Sequence, residues 1–146
     1  KTGGLGDVAD ALPRALALQP GVSTAVVSAR YGSIDPDRHA LARRLRRIPV
    51  PLGSQIFEIE VFEGRLHGSR VPLYLVEHPL FSGRSGLYGP PEAPGQDYGD
   101  NALRFALLSR AALQIAHEFD LRQAGDWREA EQTQTDTICG YCGAFT

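Results

Sequence analysis

The stretch Lys1-Thr-Gly-Gly-Leu-Gly-Asp7 opens the chain and decides the fold class, because it joins a glycine-rich segment directly to a helical pattern. Val8, Leu12 and Leu16 follow at four-residue spacing, which places them on one face of a predicted helix. Asp7 is the predicted N-cap of this helix, since its carboxylate can accept bonds from the free amides of the first turn. The sequence therefore predicts a glycine-rich loop that leads into a helix.

A short apolar run at residues 22–28 follows the helix and is typical of a buried strand in a parallel sheet. Loop, helix and strand make half of a βαβ unit, in which another strand would precede the glycines. The sequence contains no such strand and no Met. We therefore expect residues to be missing before Lys1.

Three further elements are predicted between residues 35 and 77. The arginine-rich residues 35–47, with Leu41 and Leu45 four apart, predict a short amphipathic helix with a solvated basic face rather than a polyanion site. Residues 54–62 alternate between apolar and acidic side chains, which predicts a strand that turns at Glu63-Gly64. Residues 71–77 predict another strand, which should lie at a sheet edge or begin near Leu73, because Pro72 cannot donate to a ladder.

The second half of the chain divides into a loop, a helix and a polar tail. Residues 78–99 are rich in Gly and Pro and predict a long irregular loop of the kind that carries function. A mostly buried helix is predicted from Asn101 to about Phe119. Its apolar stripe lies at Phe105, Leu108, Ala112, Ile115 and Phe119 and is widened by Leu103 and Leu107. Residues 123–146 are polar, and we expect them to be disordered or foreign to the preceding domain.

Composition limits the classes of function. The chain has 146 residues, of which 22% are charged and 42% hydrophobic, with a formal net charge of −2. Those values fit one ordinary domain, and the near-neutral charge argues against a nucleic-acid partner. No apolar run is long enough to span a bilayer, so no membrane association is predicted. Two cysteines are too few for a disulfide framework, and the expected location is cytoplasmic.

The glycine-rich segment carries the clearest chemical signal. Glycine amides and a helix N-terminus together favour an anion, and Lys1 adds a full positive charge beside them. Gly4-x-Gly6-x-x-Ala9 also satisfies the dinucleotide fingerprint, so an NADP-binding Rossmann oxidoreductase is an alternative. That reading lacks the usual acidic residue after the next strand, where Arg30 would at best suit a 2′-phosphate.

The cysteine pair supports a third alternative. Cys139-Gly-Tyr-Cys142 has the spacing of half a zinc site or of a redox pair, which would suit a non-catalytic redox or adaptor module. The chain offers no second Cys pair, so two ordinary thiols in a tail are favoured. No metal site and no cofactor are predicted.

Several segments, in order, resemble one enzyme family. Lys1-Thr-Gly-Gly-Leu-Gly-Asp-Val resembles the Lys-x-Gly-Gly-Leu signature near the start of bacterial glycogen synthases and plant starch synthases. The segments 26–31 and 77–89 look like that family's next strand and later loop, and Tyr98-Gly-Asp-Asn-Ala-Leu-Arg-Phe105 looks like the start of its long helix. The resemblance covers roughly residues 1–120.

The resemblance implies an α/β fold, namely a partial Rossmann-like N-terminal domain of a GT-B glycosyltransferase with a parallel or mixed sheet flanked by helices. It implies residues 1–122 as part of the catalytic domain and a missing C-terminal domain. The implied reaction transfers glucose from ADP-glucose to the non-reducing end of an α-1,4-glucan with retention, and we expect this chain alone to be inactive. A plastid location is implied if the source is a plant.

The resemblance also implies site residues. Lys1 with the amides of Gly3 and Gly4 would stabilise the diphosphate leaving group, in agreement with the anion-binding chemistry of the segment. Asp100 and Asn101 are weaker candidates for sugar contacts, and Asp100 has the alternative role of a simple helix cap. The sequence assigns no catalytic residue.

Overall fold

The computed structural model describes residues 3–119. The sheet and its helices have the following bounds: α1 is Gly3–Leu16, β1 is Val26–Ala29, β2 is Ala42–Arg43, β3 is Ile48–Leu52, β4 is Gln55–Arg65, β5 is Pro72–Glu77, α2 is Pro79–Ser82 and α3 is Asn101–Glu118. None of these helices is long and apolar enough to cross a membrane.

The sheet is mixed, with β5 at its centre. β1 pairs in parallel with β5, and β5 pairs antiparallel with β4. The other edge of the long strand β4 pairs with β2 near its end and with β3 near its beginning. The mixed sheet with flanking helices confirms the predicted fold class.

The hydrophobic core lies between one face of this sheet and α3. The buried side chains come from every strand except β2 and from both helices that follow the sheet: Ala29, Ile48, Val50, Ile59, Val61, Tyr74, Val76, Phe81, Leu107, Ala111 and Ile115. Burial of a large apolar side chain contributes about 1.5 to 3 kcal/mol. This layer therefore fixes α3, and with it the loop that leads into α3, against the sheet.

Pro72 does not place its strand at an edge. β5 has neighbours on both sides, so the prediction of an edge strand is wrong, while the alternative start near Leu73 is right to within one residue. Pairing with β1 begins only at Leu73, opposite Val26. Pro72 is tolerated because β1 does not reach it, so its missing N–H removes no bond between the two strands.

Residues 35–47 do not form the predicted helix. They form turns followed by the short strand β2, and Leu45 is fully exposed. Two leucines give too little apolar surface to hold a helix, and carboxylates of β4 and α3 instead attract the arginines. The ion pairs are Arg43–Glu60 at 2.7 Å, Arg47–Glu60 at 3.1 Å, Arg46–Glu118 at 3.2 Å and Arg44–Glu63. The arginines therefore face carboxylates of this same domain, and hydrogen bonding to Arg43 lowers the pKa of Glu60.

Two details of the hairpin region differ from the sequence pattern. β4 continues through Glu63-Gly64 to Arg65, so the turn predicted there is wrong; the chain turns at residues 66–69, where Ser69 N donates to Leu66 O at 2.9 Å. β3 was not predicted, because its sequence Ile-Pro-Val-Pro-Leu alternates with prolines. Within residues 3–119 it pairs only with β4, and prolines are tolerated in such an edge strand. It buries Ile48 and Val50.

The helix predicted from Asn101 to about Phe119 is confirmed, but its buried face is rotated. The fully buried positions are Arg104, Leu107, Ala111 and Ile115. Leu107 and Ile115 belong to the predicted stripe, whereas Phe105 and Ala112 are only partly buried. Phe105 packs beside Tyr88 of the preceding loop, with ring centroids 5.8 Å apart. A buried arginine thus lies on the same face of α3 as the buried Leu107, Ala111 and Ile115.

Candidate functional site

The carboxyl ends of β1 and β5 meet at one edge of the sheet, where open α/β sheets bind ligands. At this edge Arg30 follows β1, and its Nε donates to Oε2 of Glu77 at the end of β5. Ser82 of α2 donates to the other oxygen of Glu77. The guanidinium also donates from Nη1 to Ile34 O at 2.9 Å. This half-buried ion pair ties the exit of β1 to α2.

Arg104 organises the loop above this edge. Its side chain is fully buried, with Nε donating to Leu80 O at 2.8 Å and Nη1 donating to Leu87 O at 2.9 Å and to Asn101 Oδ1 at 2.6 Å. Aromatic rings line the guanidinium at centroid distances of 5.2 Å for Tyr98, 5.7 Å for Phe105 and 6.0 Å for Phe81. One charged side chain therefore connects α2, the loop and the first turn of α3.

Asp100 occupies the N-cap position of α3 but does not act as a side-chain cap. Its Oδ2 pairs with Arg84, whose guanidinium lies 4.8 Å from the centroid of Tyr98. The other oxygen, Oδ1, is buried without a hydrogen-bond partner, as is Nη2 of Arg104. The interpretation of Asp100 as a simple helix cap is therefore wrong, and an unsatisfied acceptor and an unsatisfied donor lie one helical turn apart.

Both polar side-chain atoms of Asn101 form hydrogen bonds that stabilise the loop. Its Nδ2 donates to Tyr88 O at 2.7 Å, and its Oδ1 accepts from Arg104. Tyr98 N donates to the same carbonyl of Tyr88 at 2.8 Å. Asp100 and Asn101 thus belong to one hydrogen-bond network. Of their side-chain polar atoms, only Oδ1 of Asp100 is left without a hydrogen-bond partner.

The loop between α2 and α3 folds back on itself at two glycines. A Cβ atom on Gly86 would lie 2.1 Å from Gly89 O, and one on Gly89 would lie 1.8 Å from Gln96 O. The hydroxyl of Tyr98 accepts a bond from Gly86 N at 3.3 Å. These close approaches leave no room for a side chain, so the glycines determine where Tyr88 and Tyr98 lie.

Gly89→Ala is therefore expected to destabilise the chain by about 1 to 3 kcal/mol, the usual range for forcing atoms into a packed site. The methyl group meets backbone atoms of residues 96 and 97, which cannot rotate away. Gly99→Ala is the matched control in the same loop, since a Cβ there meets nothing within 4 Å. Urea unfolding of both variants checks this, and equal midpoints would contradict it.

The glycine-rich segment differs from its prediction. α1 already begins at Gly3, so Gly3 and Gly4 form its first turn, and Asp7 lies inside the helix rather than at its N-cap. Glycine weakens a helix by about 1 kcal/mol relative to alanine but does not forbid helical backbone angles. Gly4 is exposed, and a Cβ there would meet nothing within 4 Å. Lys1 lies outside the described residues.

The two predicted groups of site residues stand on separate elements. Gly3 and Gly4 lie at the start of α1, whereas Asp100 and Asn101 lie at the start of α3. None of the hydrogen bonds described for residues 3–119 joins them. At the other end of α1, Arg14 donates to His67 O at 2.6 Å, near the amino end of β5.

Two ionisable groups near the sheet edge are tuned by burial. Burial lowers the pKa of His78, whose Nδ1 accepts from Leu80 N at 3.2 Å and caps α2. Burial also raises the pKa of Tyr31, while the charge of Arg104 opposes that shift. A neutral imidazole is needed for the cap, because a protonated Nδ1 cannot accept the bond.

Sequence reasoning did not assign roles to Arg84, Tyr98 and Arg104, although they organise the loop. A usable signal existed for one of them, since Arg104 interrupts the apolar face of α3 three residues before Leu107. The side chains of residues 3–119 provide no cluster of three or more His, Cys, Asp or Glu that could hold a metal ion. Cys139, Cys142 and the predicted domain boundary at residue 122 lie outside the described residues.

Comparisons with known proteins agree on one family. The family model of the starch synthase catalytic domain matches residues 1–132. A glycogen synthase from Anaeromyxobacter sp. strain Fw109-5 is 47% identical over 133 residues, which cover 88% of this chain and 26% of the relative. Glycogen synthase 1 from Geobacter sulfurreducens is 42% identical over 135 residues, with 89% and 26% covered. The chain thus spans about a quarter of the length of these curated relatives.

A solved structure shares the fold as well as part of the sequence. The catalytic domain of starch synthase IV from Arabidopsis thaliana, bound to ADP and acarbose, matches with a TM-score of 0.59 and 25% identity. The match covers 82% of this chain and 23% of that chain. The loop network lies at the carboxyl ends of the parallel strands β1 and β5. Because the family model covers residues 1–132, which are most of the sequence, the chain belongs to the family of starch synthase catalytic domains.

Proposed function

We propose that this chain is part of a glucosyltransferase that transfers glucose from ADP-glucose to the non-reducing end of an α-1,4-glucan with retention of configuration. The observation that carries the proposal is the family match over residues 1–132, together with a structural relative that binds ADP and acarbose. This assignment does not favour the NADP-dependent oxidoreductase or the redox module.

The start of α1 supports a diphosphate site. The first amides of a helix have no carbonyl partners within it, and they carry the positive end of the helix dipole. α1 has no acidic residue in its first turn, and the backbone of Gly4 is exposed. Lys1 with Gly3 and Gly4 would stabilise the negative charge that develops on ADP as the glycosidic bond breaks.

The start of α3 supports a sugar contact. Oδ1 of Asp100 is a buried acceptor without a protein partner, and a sugar hydroxyl is a donor that would satisfy it. Asn101 is proposed as a weaker contact through its amide group, because both of its polar atoms already hold the loop. No cofactor is required for this chemistry, and no nucleic-acid or membrane partner is proposed.

The proposed enzyme needs more than this chain. The matched segment covers only 26% of the relatives, and in the proposed architecture a C-terminal domain closes the cleft over the donor. Residues 1–122 would supply part of the N-terminal catalytic domain, and residues 123–146 would remain a polar tail. A cytoplasmic location, or a plastid one in a plant, completes the proposal.

The purified 146-residue chain is expected to incorporate no radiolabel from ADP-glucose into glycogen above a heat-killed control. A full-length glycogen synthase whose matching segment is replaced by residues 1–132 is expected to incorporate label. Both results follow because the donor must be enclosed by two domains before charge on the leaving group is stabilised. Transfer by the isolated chain, or a dead chimera that still folds, would contradict the proposal.

A further inference from the structure

The carboxylate of Asp100 points away from the helix that it begins. An Asp at the N-cap normally accepts bonds from the amides two and three residues later, which here belong to Ala102 and Leu103. Asp100 makes no such side-chain bond. Its Oδ2 pairs instead with the guanidinium of Arg84, which lies 16 residues earlier in the chain. The direction of this carboxylate is therefore set by Arg84 rather than by α3.

Arg84 is itself held at both ends. Its backbone follows a close contact, since a Cβ on Gly32 would lie 2.6 Å from Ser82 O and 3.7 Å from Arg84 O. Arg84 N donates to the carbonyl of the fully buried Phe81 at 3.3 Å. At the other end, the guanidinium carbon lies 4.8 Å from the centroid of the Tyr98 ring. The guanidinium thus reaches Asp100 from a fixed backbone and along a fixed ring.

This pairing determines which atom of Asp100 stays available. With Oδ2 bound to Arg84, Oδ1 is buried without a hydrogen-bond partner, and so is Nη2 of Arg104 one helical turn later. A hydroxyl group can donate to an atom such as Oδ1 and accept from one such as Nη2. A phosphate, in contrast, would be repelled by the carboxylate. The two atoms therefore suit a neutral hydroxylated ring.

We propose that Arg84 is a positioning residue, which keeps the Asp100 carboxylate away from the amides of α3 so that Oδ1 receives a sugar hydroxyl. The inference rests on the proposed glucosyltransferase and adds a residue to its sugar-contacting site. Without the guanidinium, the carboxylate is free to turn toward Ala102 and Leu103 and to become an ordinary N-cap. Loss of Arg84 therefore exchanges a sugar contact for a helix cap.

The first measurement uses the full 146-residue chain without ligand. In Arg84→Gln, amide exchange of Leu103 is expected to slow about fivefold, as formation of an N-cap bond implies. The Tm is expected to change little, because the new cap offsets the lost ion pair and ring contact. A residue that only stabilised the loop would lower the Tm without slowing exchange. Arg38→Gln, at an exposed arginine, is the control and is expected to change neither quantity.

The second measurement uses the chimeric full-length enzyme described above. Arg84→Gln and Asp100→Asn are each expected to lower kcat/KM about tenfold or more, the usual effect of losing a hydrogen bond to a charged group. The variant with both substitutions should be no worse than Asp100→Asn alone, because Arg84 acts through Asp100. Inhibition by ADP, which contains no glucose, is expected to stay unchanged. Arg84→Lys should recover part of the activity, since an ammonium keeps the charge without the planar pairing.

Additive losses in the double variant would overturn the inference, because they would show that Arg84 acts independently of Asp100. Full activity of either single variant would overturn it as well, and so would unchanged exchange of Leu103 in Arg84→Gln. A chimera that is inactive before any substitution would count against the proposed glucosyltransferase instead. Exchange of Leu103 in the isolated chain would then still test the orientation of Asp100, since it requires no activity.

Discussion

Arg104→Ala is expected to lower the free energy of unfolding by about 3 to 5 kcal/mol. The substitution removes the donor from three carbonyl acceptors, each of which costs about 1 to 3 kcal/mol when left buried and unpaired. It also leaves a cavity between the rings of Phe81, Tyr98 and Phe105. Relief of the cost of burying the guanidinium offsets part of this loss.

Thermal unfolding measures the effect, and a decrease in Tm on the order of 10 °C is expected for a chain of this size. Arg110→Ala is the matched control, because Arg110 lies on the same helix but is only partly buried. Arg104→Lys should fall between the two variants, since an ammonium keeps the charge but cannot reach the same acceptors as a planar fork. Equal Tm values for Arg104→Ala and Arg110→Ala would refute the role given to Arg104.

Lys1→Ala is expected to weaken transition-state stabilisation by about 2 to 4 kcal/mol in the chimeric full-length enzyme, by analogy with the loss of one preorganised donor to a developing negative charge. That energy corresponds to a decrease of about 30- to 1000-fold in turnover. The proposed cause is the position of Lys1 in the sequence, two residues before α1 begins at Gly3.

The measurement is kcat and KM for ADP-glucose. Arg38→Ala serves as the control, because Arg38 is an exposed arginine in the turns between β1 and β2. A lysine that acts on the leaving group lowers kcat more than it raises KM, since the charge develops mainly in the transition state. Equal turnover for the two variants would remove Lys1 from the proposed site.

The sequence patterns that correctly predicted a strand or a helix have one property in common. The strand at residues 55–65, the strand at 72–77 and the helix at 101–118 all have a periodicity carried by many apolar side chains. Their formation follows from burying one face, which the sequence specifies directly. Where only two leucines carried the pattern, as at residues 35–47, the prediction was wrong: the segment instead pairs its backbone with β4 through β2, and its arginines form ion pairs to β4 and α3.

The sequence alone therefore determined the α/β class and the position of the long loop before α3, because glycines, prolines and apolar periodicity are local properties. The family was indicated separately, by the resemblance of segments such as residues 1–8 to known synthases. The tertiary structure alone decided that β5 is central, that the stripe of α1 faces outward, and that Arg104 is buried beneath the loop. Those outcomes depend on carbonyls and carboxylates that distant segments bring together, and no local pattern records which partners a side chain will meet.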